Sequence, residues 1–172
     1  DTTEFVEITK DPTLEIKRKT NKVIGNILRK NPIAGMHQII GDFSPGYIYA
    51  NVKTHKSDFP IRPIISQSPT PTFDIAKYLV KVISPYCPCQ YTVKSSFEFI
   101  NLVKGNRHTT GVMSSLDVVD LFTNVPTDET IKIILQYLYH NSKLSPPIIT
   151  EESMSELLSL CTKELPFRHP DG

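Results

Sequence analysis

The sequence predicts a mixed α/β (α+β) fold. Three observations predict it: apolar residues recur at helical spacing in several segments, two β-rich runs flank a polar turn, and the order is helix, hairpin, helices, strand, helix, helix. With 172 residues, 39% of them hydrophobic and 22% charged, the chain can bury a core. No apolar run is long enough to span a bilayer and nothing reads as a signal peptide, so no membrane partner is expected.

Asp11-Pro12 reads as a helix start, with Asp as N-cap and Pro at the first helical position. Ile16, Thr20, Val23, Ile24, Ile27 and Leu28 follow at helical spacing, and Asn31-Pro32 ends the helix. Lys17, Lys19, Lys22 and Lys30 fall largely off that stripe; they suit either a solvated face or a phosphate track. Residues 47–53 and 61–66 read as strands of a hairpin, and Pro63 places the second at a sheet edge or bulge.

Pro71 opens a helix with Ile75, Leu79, Val82 and Ile83 inward, ending near Ser84-Pro85. Ser95-Ser96 caps a short helix through Phe99, Ile100 and Val103, closed by Gly105. Gly111 to Asp117 reads as a strand. A helix from Pro126 buries Ile131, Ile134, Leu135 and Leu138, with Asp128 and Glu129 favoured by the dipole at its start. Pro146-Pro147 is a linker, and a last helix over about 151–163 turns Met154, Leu157, Leu158 and Cys161 inward.

Three cysteines, Cys87, Cys89 and Cys161, make neither a disulfide framework nor a zinc pattern; they read as free thiols of an intracellular protein. The net charge of +1 hides a mild slope, from +3 over residues 1–66 to +1 over 67–125 and −3 over 126–172. Basic charge in the N-terminal part suits phosphate contact. The chain starts at Asp1 and ends in Pro170-Asp171-Gly172, and both ends read as cut, which predicts a fragment.

Two segments carry candidate chemistry. In Ser115–Pro126 the predicted strand delivers Asp117 at its C-terminal end, a stiff position for a ligand to a hard cation such as Mg²⁺. Asp120, three residues on, points to the opposite face of a regular strand, so Asp117 is the ligand candidate and Asp120 its neighbour. By spacing alone, Asp117 is more often a capping or solvent-facing acid. In the hairpin, Lys53, His55, Lys56 and Arg62 lie within ten residues and can neutralise a triphosphate. Arg62 is the strongest candidate, because its planar fork matches phosphate oxygens; an exposed basic turn is the plainer alternative.

Together these segments resemble a known family. Leu116-Asp117-Val118-Val119-Asp120-Leu121-Phe122-Thr123-Asn124-Val125-Pro126 resembles motif A of reverse transcriptases, in the wording typical of Penelope-like retroelements, relatives of telomerase. Lys53-Thr54-His55-Lys56 with Arg62-Pro63-Ile64-Ile65-Ser66 is similar to that family's finger hairpin. Lys10–Thr13 and Tyr91–Phe97 resemble its intervening segments, so the likeness covers nearly the whole chain in order.

The resemblance implies a partial right hand: a fingers region over 1–110 with the hairpin at 47–66, and an incomplete ferredoxin-like palm over 111–172. It implies an RNA-directed DNA polymerase, a nucleotidyltransferase joining a dNTP to a primer 3′-hydroxyl on an RNA template, in the nucleus. Asp117 would bind two Mg²⁺ ions, with the backbone carbonyl of Val118 on the metal that carries the triphosphate. Arg62, assisted by Lys56 or Lys53, would contact the triphosphate, Asp120 would lie beside it, and Phe122 would be the steric gate against a 2′-hydroxyl. The family's motif B and adjacent aspartates are missing, and no Asp-Asp pair occurs here, so this polypeptide alone is expected not to polymerise. The alternative is a non-catalytic α/β module that binds RNA or DNA.

Overall fold

The computed structural model describes residues 6–30, 32, 35–87, 91–105, 111–112, 114–119, 121–141, 143–163 and 165–169, with the backbone alone for Phe122 and Thr123. Helix α1, Thr13–Lys30, starts as its sequence dictates: the Thr13 N–H donates to Asp11 Oδ1 at 2.9 Å, and the Ile16 N–H reaches Pro12 O at 2.9 Å. That hydrogen bonding to Thr13 holds the Asp11 carboxyl below its usual range. Ile16, Thr20, Ile24 and Ile27 are buried, and the Thr20 hydroxyl donates to Ile16 O.

Helix α2, Phe73–Ile83, buries Ile75 and Leu79 and runs into a 3₁₀ turn at Ser84–Tyr86. Helix α3, Ser96–Gly105, is capped in both directions. The Glu98 N–H donates to Ser95 Oγ at 3.2 Å, and the Lys94 N–H donates to the Glu98 carboxylate at 2.7 Å. A single turn α4, Leu121–Asn124, precedes α5, Thr127–Gln136, which passes into a π turn at Tyr137–Asn141. Helix α6, Glu151–Thr162, has Thr150 as N-cap, its hydroxyl accepting from the Ser153 N–H.

The core is helical. Ile24 and Ile27 of α1, Ile75 and Leu79 of α2, Ile131 and Leu135 of α5, Leu138 of the π turn, and Met154, Leu157 and Leu158 of α6 form one cluster with Met36, Ile39 and Ile149. It draws on helices from both sides of residue 110. The connection after α1 is seated by Asn21, whose amide donates to Ile39 O at 3.0 Å and accepts from Ile39 N at 2.6 Å. Beside it Lys17 donates to Gly41 O at 2.6 Å, with its ammonium 5.2 Å from the Phe43 ring centre. One cation of the basic helix face is thus spent on seating a loop. At the far end, Tyr139 donates to Ile149 O at 2.6 Å, and burial pushes its hydroxyl up to about 12.

Cys161 is half-buried, with its thiol pushed up to about 12 by burial, and Cys87 is exposed; both are free thiols, while Cys89 lies outside the described residues.

The sheet has three strands in the order β2-β1-β3: β1 Gly46–Val52, β2 Ile61–Ser66 and β3 Phe167–Arg168. β1 and β2 are antiparallel, with Tyr47 opposite Ser66 and Val52 opposite Ile61. Pro63, which has no N–H to give, sits on edge strand β2. β3 runs parallel to β1, with Gly46 opposite Phe167 and Tyr47 opposite Arg168, and the Gly46 N–H donates to Pro166 O at 3.0 Å. A side chain at Gly46 has no room, since a Cβ there would lie 2.6 Å from the backbone oxygen of Ser66.

The predicted strand at 111–117 does not form among the described residues, whose backbone is irregular and exposed. An apolar run becomes a strand only when a neighbouring backbone takes its N–H and C=O groups, and among the described residues no ladder reaches this segment. No described helix is long and apolar enough to cross a membrane.

Candidate functional site

The hairpin tip gathers its cations through backbone geometry. Beyond the Val52–Ile61 pair, the Lys53 N–H donates to Pro60 O at 3.0 Å and closes the loop. Inside it, the Lys56 N–H reaches Lys53 O at 3.1 Å and the Phe59 N–H reaches Lys56 O at 3.2 Å, with Phe59 at a φ of 46°. That left-handed conformation, uncommon for a bulky residue, turns the chain back into β2. Arg62 stands opposite Asn51, one pair in from the loop. Lys53 is half-buried, while His55, Lys56 and Arg62 are exposed. Lys56 and Arg62, solvated near a turn fixed by hydrogen bonds, with Lys53 beside them, suit multidentate phosphate contact.

Strand alternation divides the rest of the hairpin. Tyr47, Tyr49 and Asn51 share one face with their partners Ser66, Ile64 and Arg62. Ile48, Ala50 and Val52 share the other with Ile65, Pro63 and Ile61. β3 adds Arg168 beside Tyr47 on the first face.

The Asp117 segment is placed differently. Asp117 is exposed, and around it Leu116, Val118 and Val119 are 96%, 59% and 78% exposed. The Asn124 side-chain amide donates to Val119 O at 3.1 Å and ties the segment to α4. The expectation that a strand end presents Asp117 is therefore corrected: an irregular segment carries it, and among the described residues the run has no strand partner. Asp120 lies outside the described residues, as does the Phe122 side chain, whose backbone is in α4.

Among the described residues, the hairpin cations are brought together, but no hydrogen bond or ion pair joins Asp117 to them. No three His, Cys, Asp or Glu side chains among the described residues converge as a metal cage. Asp117 and the Val118 carbonyl offer oxygen donors of the kind magnesium takes, yet these alone do not fit a two-metal site.

Sequence reasoning missed two features. The Tyr47–Tyr49 pair, with ring centres 6.0 Å apart, is signalled by its two-residue spacing within the predicted strand. Arg168 had no such signal, since a two-residue strand has no readable period and its place depends on pairing with distant β1. Comparison with protein-family models, curated proteins and solved structures gives no match.

Proposed function

We propose that this chain is the fingers and the motif A part of the palm of a Penelope-like reverse transcriptase, an RNA-directed DNA polymerase. One observation carries the reading beyond the resemblance itself. The hairpin forms over the residues that the likeness assigns to the fingers, and its turn collects Lys53, Lys56 and Arg62 at one end. In the proposed reaction a primer 3′-hydroxyl attacks the α-phosphorus of a dNTP. A new O–P bond forms, the bond to the β-phosphate bridge breaks, and pyrophosphate leaves.

Arg62, with Lys56 and Lys53, neutralises the triphosphate and orients it. Asp117 would hold magnesium through its carboxylate, and the further carboxylates that the family's adjacent aspartates would supply are not in this sequence. By the resemblance, Phe122 would be the steric gate against a 2′-hydroxyl and Asp120 would lie beside the triphosphate. The second reading, a module that holds RNA or DNA without chemistry, rests on the exposed basic hairpin turn alone, which needs no carboxylate.

The test is RNA-templated primer extension by the complete reading frame that contains this chain. Synthesis abolished by Asp117→Ala is the expected result. Synthesis that survives Asp117→Ala would overturn the assignment. The 172-residue chain alone is expected to extend no primer.

A further inference from the structure

We infer that the Tyr47–Tyr49 face of the three-stranded sheet is a stacking platform for single-stranded nucleic acid, an inference that rests on the nucleic-acid reading above. Bases lie on Tyr47 and Tyr49, and phosphates are met by Arg168 at one end and Arg62 at the other. The register makes this a continuous stripe. Arg168 stands opposite Tyr47 on β3, Tyr49 follows two residues along β1, and Arg62 stands opposite Asn51 on β2.

Both rings are exposed, Tyr47 by 50% and Tyr49 by 43%, although strand tyrosines gain most from being covered. Their centres are 6.0 Å apart and their planes tilted by 34°, so the rings lean rather than stack face to face. Rotation about χ1 and χ2 can present them to bases.

Charge selects the occupant. The positions of β1, β2 and β3 hold Arg62 and Arg168 and no aspartate or glutamate. Asp11, the carboxylate on which Arg168 acts, is engaged by the Thr13 amide. Two aromatic rings between two arginines, with no acid on the strands themselves and Asp11 near the Arg168 end alone, suit a strand of bases and phosphates better than an apolar peptide. Recognition of this kind is tolerant of sequence, because every base has a π-face.

The test measures fluorescence anisotropy of two labelled strands with the full chain: an oligothymidylate, and an abasic sugar-phosphate strand of equal length. The platform predicts that the base-bearing strand binds roughly ten- to a hundredfold more tightly. Tyr47→Thr/Tyr49→Thr, which keeps residues suited to a strand, should remove most of that difference, and Tyr47→Phe/Tyr49→Phe should keep it. Arg62→Ala/Arg168→Ala should weaken both strands alike and flatten the salt dependence.

Equal binding of the two strands by the wild-type chain overturns the inference, and that comparison needs no variant to fold. A full difference retained by a folded Tyr47→Thr/Tyr49→Thr chain overturns it too. Loss of the platform would leave the Asp117 extension test standing, and failure of that test would leave oligothymidylate binding standing.

Discussion

The helical cluster and the sheet obey different rules. In the cluster, α1, α2, α5 and α6 each turn a stripe inward, and Ile24, Met154 and Leu157 are completely buried. In the sheet and the Asp117 segment, large side chains remain in water: Tyr47, Tyr49 and Ile61 on the strands, Leu116 and Val119 beside Asp117. Every candidate site residue that is described belongs to this second region. Folding energy and candidate chemistry are thus spatially separated, so a substitution can strike one without the other.

Three substitutions sharpen that separation, in decreasing order of expected effect. Leu157→Ala removes a fully buried side chain from α6 and should cost about 2–5 kcal/mol, read from urea unfolding. If the two regions melt in separate transitions in the wild-type chain, the sheet transition should survive this change. Gly46→Ala should cost roughly 1–3 kcal/mol, because the new methyl meets a backbone oxygen that cannot swing aside. Its damage should appear as faster amide exchange in β1 and β3 while α1 and α6 keep their protection. Equal loss in both regions would show that they fold as one unit.

Asp11→Ala should cost about 0.5–2 kcal/mol through loss of the cap. Its pH dependence has a definite sign. The folded Asp11 carboxyl titrates below the ordinary value of 3.8, so its contribution is present above that pH. It is lost as pH falls through the folded value. Asp11→Asn keeps an acceptor for the Thr13 amide and should flatten the acid limb of the stability curve without removing the helix start. By contrast Asp117→Ala and Arg62→Ala, both at exposed positions, should leave the unfolding midpoint within about 0.5 kcal/mol of wild type.

Much of the architecture was legible, and the misses share one cause. The start of α1 at Asp11-Pro12, the hairpin to within one residue and the inward stripes of α2, α5 and α6 all follow from caps and periods, which are local properties. A strand is a property of a pair. Gly111–Asp117 has the composition of a strand, but its described residues have no partner among the described residues and are irregular. Pro166–Arg168 has almost no composition to read, yet it pairs because the open side of β1 is within reach.

α3 forms from its cap as read, and its apolar Phe99, Ile100 and Val103 are exposed, which a cap does not reveal. Of the candidate site, the grouping of Lys53, Lys56 and Arg62 was visible because a hairpin gathers what lies near its turn. Arg168 was not, since only the parallel pairing brings it there.

The parallel pairing also sets an order of events. The β1–β2 turn joins neighbours in the chain and can close within microseconds. The Gly46–Phe167 pair links residues about 120 positions apart, a loop whose closure entropy must be met before the contact returns anything. On a ribosome the hairpin emerges and zips early, then waits with the β3 side of β1 open. That edge is covered last, after α6 has been made, and until then it is where a second chain could add a strand.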